Sequence, residues 1–460
     1  MTNFKTLSVS ALLLMISAVS VAKELPPVGG KPGNFVVPQT KQVVLDNGLK
    51  VTFIPYGSTP KATVRLVTHT GNIDDGGKVW LADLSFEMLR QGTANQSAQA
   101  LATSVASMGG QIETSVGLDS SWVGMDVLSE FADEAAATLA DMVLNASFNE
   151  KDLARIKVDR QRELEVAKSR PSSIATEAFY HKLYGNHPYG QLYPTQETLA
   201  AISTEETAAF IRTQFVPNRS HLYVSGVFND LVVLAAIKNA FQDWQPGAER
   251  ESKTVLAQAG PSVTVINRPN APQSTLRLGL VTIAPDHEDA MTMNVMNTLL
   301  GGAFSSRITS NIREDKGYTY SPRSSVMDRV GTGFWYQGAD VTAESTAASL
   351  REIVKEINLL ASENPSKEEL SGVQNYMAGI FVLRNSSRSA IISQLAFTEL
   401  HGLDASYLQT YVDNIYATTP ADVSNAVKQY LDVSKMHLVI VGDETDVKTQ
   451  LKTLDGVLAL

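Results

Sequence analysis

The chain holds seven histidines (His69, His181, His187, His221, His287, His401 and His437) and no cysteine, so metal or acid-base chemistry is sought first among the histidines. A zincin-type helix needs two of them three or four positions apart, with a carboxylate base between. No pair has that spacing. His181 and His187 are six apart and Pro188 follows them. His221 and His437 fall in strand-like stretches at matching places in the two halves of the chain, which points to a structural role. Two other stretches are richer in chemistry. From Leu81 to Thr93 the pattern is helical: Leu81, Leu84, Met88 and Leu89 form the stripe to be buried, Gly92 ends the helix, and Asp83, Phe86, Glu87 and Arg90 share another face. Glu87 and Arg90 are three apart and are expected to pair on the helix surface. From Asn311 to Ser321 a charged helix end containing Arg313 passes through Gly317 into a strand-like stretch containing Tyr320.

These stretches need a large scaffold, and the composition provides one. With 460 residues, 43% hydrophobic and 19% charged, the chain can bury a sizeable core and form two or more domains. Its net charge of -10 is spread without basic clusters, which excludes a phosphate-backbone binder and hence a nucleic-acid partner.

Residues 1–22 combine Lys5, an apolar run from Ala11 to Val19 and the small residues Ser20-Val21-Ala22. They are expected to be a cleavable signal peptide, leaving no membrane span and placing the mature chain in the periplasm or outside the cell. Residues 23–40 are rich in Pro and Gly and read as an extended arm. Asp46-Asn47-Gly48, between Val43–Leu45 and Leu49–Ile54, predicts a hairpin that opens a first domain at 41–245. Residues 246–261, with Pro246-Gly247 at one end and Gly260-Pro261 at the other, read as a linker to a second domain at 262–460.

The two domains read as copies. Ser203-Thr204-Glu205-Glu206 and Thr419-Pro420-Ala421-Asp422 both have the signature of a helix cap with an acid three residues on. Each is followed in the same register by a helix and a strand ending in glycine: His221 to Gly226 in one half, His437 to Gly442 in the other. The alanine- or leucine-rich stretches Glu130 to Leu144 and Glu344 to Leu360 read as helices. The expected class is α+β, with each domain a mostly antiparallel sheet packed by helices.

The Leu81–Thr93 stretch resembles the helix that carries the inverted HxxEH motif in pitrilysin and insulinase-like (mitochondrial processing peptidase-like) metallopeptidases, including its closing Gly-Thr. Further points of resemblance are Gly109-Gly110, Gly117 and Trp122, Ala271-Pro272-Gln273-Ser274, and the glycine-rich Leu300-Gly301-Gly302-Ala303-Phe304-Ser305-Ser306-Arg307. In that alignment the two zinc-binding histidines fall on Asp83 and Glu87, the catalytic glutamate falls on Phe86, and the third ligand falls on Glu163 or Glu165. Phe86 cannot take a proton from a metal-bound water. Three carboxylates at Asp83, Glu87 and Glu163 would suit a hard ion better than zinc; the resemblance therefore implies no zinc in this chain.

The family places an Arg and, seven residues later, a Tyr opposite the zinc, and Arg313 and Tyr320 have that spacing. By resemblance, the pair would bind a peptide carbonyl and the oxyanion formed from it, with Gly301, Gly302 and Phe304 contacting substrate. The family's short members pair two chains, each one half of a clamshell chamber, and bind peptides by strand addition. The resemblance thus implies a zinc-less subunit whose partner carries HxxEH and the zinc. A catalytically inert scaffold or peptide-binding protein of the same fold is the alternative.

Overall fold

A computed structural model of the protein describes Val36 and residues 38–454, apart from Ser252, Thr254 and residues 256–259. The expected signal peptide and most of the expected arm lie outside the described residues. Among the described residues no helix is long and apolar enough to cross a membrane.

The Asp46-Asn47-Gly48 turn joins β1 (Lys41–Val44) to β2 (Lys50–Pro55) as an antiparallel hairpin. Gly48 adopts φ +87°, which an L side chain resists. With β3 (Lys61–Thr68), β4 (Ile112–Val116), β5 (Ser121–Leu128) and β6 (Ser220–Gly226) they form a sheet ordered β1-β2-β6-β3-β5-β4. Only the β2–β6 pairing is parallel.

The second sheet contains β7 (Ser262–Asn267), β8 (Gln273–Thr282), β9 (Arg323–Arg329), β10 (Thr332–Thr342) and β11 (His437–Gly442), ordered β7-β11-β8-β10-β9. Here only β7–β11 is parallel. Strand for strand this is the first sheet without β1, so the duplication expected from the helix caps extends to topology. Both caps form reciprocal capping boxes, Ser203 with Glu206 and Thr419 with Asp422.

In the first half, one sheet face is covered by α1 (Leu81–Met88), α2 (Ala132–Leu144), α5 (Thr204–Gln214) and α6 (Asp230–Phe241), while α3 (Glu150–Ser169) and α4 (Pro171–Tyr184) run between α2 and α5 in sequence. The second half repeats the set with α7 (Ala290–Asn297), α8 (Thr346–Ser362), α9 (Lys367–Arg384), α10 (Arg388–Leu400) and α11 (Pro420–Tyr430).

The other face of each sheet is covered by a helix from the opposite half. Ile391 and Ile392 of α10 pack on Ile54, Val67 and Tyr223 of the first sheet. Phe179, Leu183 and Tyr184 of α4 pack on Phe334, Val439 and Val441 of the second. This reciprocal exchange explains why β6 and β11 are buried along their whole length and read as near-continuous apolar runs.

It also accounts for His221. One ring nitrogen lies 2.7 Å from Thr52 Oγ1 and the other 2.5 Å from the Glu399 carboxylate of α10, which Lys50 and the Tyr223 hydroxyl also contact. Burial alone would raise the Glu399 pKa, yet the bonds from His221, Lys50 and Tyr223 hold it well below the usual carboxylate range. The described residues of the expected linker are tied to the first half: Arg219 donates to the carbonyls of Ala248 and Glu249, and Arg250 pairs with Asp119 at 3.2 Å.

Candidate functional site

Helix α1 starts without a side-chain cap of its own; Trp80 precedes it at φ +74°, a conformation unfavourable for any residue with a Cβ. Asp75 supplies the cap from outside by accepting the amides of Trp80 (2.9 Å) and Ala82 (2.8 Å). Burial, reinforced by the nearby charge of Asp83 and opposed by bonds from Ala82, Asn72 and Trp80, pushes the Asp75 carboxyl up to about 7. Asn72 joins Asp75 (3.2 Å) to Asp83 (2.6 Å) through one amide nitrogen.

The helix is buried on almost every side. Phe86 is not on a polar face as the sequence pattern suggests: it is 1% exposed and stacks on Phe215, just past the end of α5, ring centroids 5.2 Å apart and planes within 17°. The apolar stripe is wider than the leucine spacing indicates because α1 is covered by α3 and α5 as well as by the sheet.

Glu87 does not pair with Arg90, which is exposed. Its partner comes from α3. The Arg160 guanidinium lies 3.2 Å from Glu87, 2.8 Å from Glu163 and 3.8 Å from Asp83, and 5.7 Å from the Trp80 ring. All three carboxylates at the degenerate motif therefore converge on one protein cation. Burial, with the charge of Glu163, raises the Asp83 pKa against the Asn72 bond and the charge of Arg160. Burial alone would lower the Arg160 pKa, but the three acids raise it. Glu165, the other position considered for a third ligand, is exposed on the same helix and lies outside the cluster.

These residues do not fit a catalytic zinc, which takes three protein ligands, keeps an open position and needs a base. The guanidinium lies among the acids, and the base position is an aromatic ring in the core. Among the described residues no group of three or more His, Cys, Asp or Glu is arranged to hold a metal.

The second-half stretch is built differently. Thr298–Gly302 is a π-helical turn continuing α7, pressed against β9 and β10. A Cβ at Gly301 would come within 2.6 Å of Ser324 Oγ and 2.8 Å of Gln337 Oε1, and one at Gly302 within 2.9 Å of the Asn297 amide nitrogen. Both glycines thus have a packing reason to be there. The chain then turns outward at Phe304, which is 67% exposed. Arg307 makes a two-pronged pair with Glu369 of α9, at 2.7 and 2.8 Å.

Arg313 follows in a second π-helical turn, Ser310–Asp315. Gly317, at φ +65°, reverses the chain, and Tyr320 emerges 82% exposed. Tyr320 is therefore not a buried strand residue; β9 begins only at Arg323. Arg313 lies between two rings, 4.3 Å from the Phe304 centroid and 4.9 Å from that of Tyr320. Its Nε contacts Glu314 at 3.1 Å, while its Nη1 and Nη2 make no hydrogen bond among the described residues. The structure brings Phe304, Arg313 and Tyr320 together at the surface, with Gly301 and Gly302 beneath.

Arg160 was missed in the sequence because nothing local ties it to a helix more than 70 residues earlier. The available signal was its place three residues before Glu163 on one helix.

The chain is similar to several known proteins. Residues 51–194 match the family model for insulinase (peptidase family M16), and residues 201–377 that for the peptidase M16 inactive domain. An uncharacterized zinc protease of Bacillus subtilis is 26% identical over 78% of this chain and 88% of its own length, and one of Streptomyces coelicolor is 23% identical over 90% and 91%. Among solved structures, a peptidase M16 inactive domain from Pseudomonas fluorescens superposes with TM-score 0.81 at 23% identity, covering 88% of this chain and 98% of that one. A chain of Complex III2 from Candida albicans superposes with TM-score 0.76 at 15% identity, covering 91% and 99%.

Proposed function

This chain belongs to the M16 family of pitrilysin and insulinase-like peptidases, and on that premise we propose that it is the metal-free subunit of a two-chain zinc peptidase. The observation that carries this reading is the contrast in availability. The carboxylates of the degenerate motif are held by Arg160, whereas the half-buried Arg313, between Phe304 and Tyr320, keeps its terminal nitrogens without a hydrogen bond among the described residues.

In this reading a partner with HxxEH supplies the zinc and the water it activates. This chain supplies binding and charge stabilisation. The Arg313 guanidinium donates to a peptide carbonyl, and the Tyr320 phenol donates to the oxyanion that forms as that carbonyl becomes tetrahedral. The exposed Phe304 ring offers an apolar surface beside them. The alternative, an inert scaffold, is favoured by one observation: the same fold occurs in the Candida albicans Complex III2 chain.

Steady-state kinetics of the chain assembled with an HxxEH-bearing partner separates the two. Tyr320→Phe removes one donor and is expected to lower kcat by about 10²- to 10³-fold with little change in KM. Arg313→Ala raises KM as well, because its donors already hold the bound peptide. An assembled pair in which both variants keep wild-type kcat and KM would leave the scaffold reading standing.

A further inference from the structure

The duplicated sheets share a four-residue device on the faces opposite their own helices. In the first, Thr63 and Arg65 of β3 lie opposite Asp126 and Gly124 of β5. In the second, Thr275 and Arg277 of β8 lie opposite Asp340 and Gly338 of β10. Each Thr hydroxyl donates to its Asp, at 2.7 and 2.5 Å. Each Arg sits over an aromatic ring, Arg65 3.9 Å from the centroid of Trp122 and Arg277 5.9 Å from that of Tyr336.

The surroundings differ. Arg277 is half-buried and its Nη1 donates to its own neighbour, the Leu276 carbonyl. Arg65 is only 5% exposed, roofed by α10. There its Nη1 reaches the Ser389 carbonyl (3.5 Å) and Ser393 Oγ (3.2 Å), and its Nε has no partner. The acid that could neutralise it, Asp126, is instead gripped by Arg388 through two nitrogens at 2.9 and 3.2 Å. A nearly buried guanidinium with an orphaned N–H and no paired carboxylate is a costly arrangement that an anion would relieve.

Arg65 lines a cleft of about 810 Å³ between the first sheet and the start of α10. Trp122 and Tyr56 give it apolar wall, and Ser386 and Ser387 bring hydroxyls and the positive end of a 13-residue helix.

We propose that this cleft binds a peptide carboxylate, with Arg65 as its charge partner and Trp122 and Tyr56 against the adjacent apolar side chain. A carboxylate fits because its two oxygens match the planar donor edge of an arginine. The neighbouring apolar surface selects a residue with a hydrophobic group beside the acid. The site is separate from Arg313 and Tyr320 and needs no partner chain, so its failure and that of the peptidase reading are told apart.

The test is titration calorimetry of the purified full chain with three probes: acetyl-Ala-Leu-Phe with a free C-terminus, the same peptide as its amide, and acetyl-Ala-Glu-Phe amide. Binding of the free acid but not of its amide identifies the C-terminal carboxylate as the source; binding of the Glu peptide identifies an acidic side chain. Arg65→Gln is expected to weaken whichever binds by at least about tenfold, the scale of one charged hydrogen-bonded contact. Glu113→Gln, on the exposed edge strand β4 and lining the same cleft, removes a like charge without touching the core and should tighten binding. The proposal is overturned if none of the three peptides binds, or if the free acid and its amide bind equally while Arg65→Gln and Glu113→Gln both leave affinity unchanged.

Discussion

Arg160 in the first half and Arg313 in the second each lie beside aromatic rings on a helical segment next to a sheet, yet they are in opposite states. Arg160 lies near Trp80 and contacts Asp83, Glu87 and Glu163; Arg313 lies between Phe304 and Tyr320 and, among the described residues, pairs with one acid, Glu314, through Nε. The first arginine is internal cement, joining α1 to α3. The second is half-buried between two exposed rings, with its terminal nitrogens unbonded among the described residues. Within one duplicated architecture, the difference between the two lies in the number of acids within reach of each cation.

The comparison breaks most severely at Phe86. Phe86→Glu, which would restore a base at the motif position, removes a core ring stacked on Phe215 and buries a carboxylate in its place. It is expected to cost at least about 4 kcal/mol, the sum of a large core truncation and an unpaired buried charge. Urea unfolding measures it. A loss below about 1 kcal/mol, together with zinc binding when Asp83→His and Glu87→His are added, would mean that the first half is still poised for metal chemistry.

A smaller effect is expected at Arg160. Arg160→Met leaves three carboxylates without their shared cation and should destabilise by about 2 kcal/mol, less than a fully buried pair because Glu87 and Glu163 are partly exposed. Adding Glu163→Gln and Glu87→Gln should recover part of that loss, since each removes a repelled charge. Unchanged stability in Arg160→Met would show that the cluster does not join the two helices.

The smallest effect separates the long helices themselves. Helix α3 has no glycine, whereas its counterpart α9 contains Gly372 and Gly379, and a Cβ at either would meet nothing within 4 Å. Gly372→Ala and Gly379→Ala should each raise stability of the isolated chain by about 0.5–1 kcal/mol. Differential scanning calorimetry reads this directly, and a lowered midpoint for both would show that the space above α9 is not open.

Local chemistry was legible wherever the cause is local. The hairpin at Asp46-Asn47-Gly48, the two capping boxes, the α+β class and the repeat of helix and strand after each cap follow from residues within a few positions of one another, and backbone conformation and hydrogen bonding act over that range. A longer repeat was also written in the chain. Thr63-Val64-Arg65-Leu66 and Thr275-Leu276-Arg277-Leu278, with Trp122-x-Gly124-x-Asp126 and Tyr336-x-Gly338-x-Asp340, spell out the duplicated sheet device.

The sequence by itself determined that the first-half motif has no histidine ligand and that an Arg and a Tyr stand seven apart in the second half. Only the tertiary structure decided what became of them. Whether Phe86 is buried, which cation meets Glu87, and whether Arg313 is engaged or free depend on which helix lies alongside. That is a matter of packing between segments far apart in the chain: Arg160 reaches Glu87 across 73 positions and α10 roofs Arg65 across more than 320. Charge and burial act through space, and only the fold sets the distances over which they act.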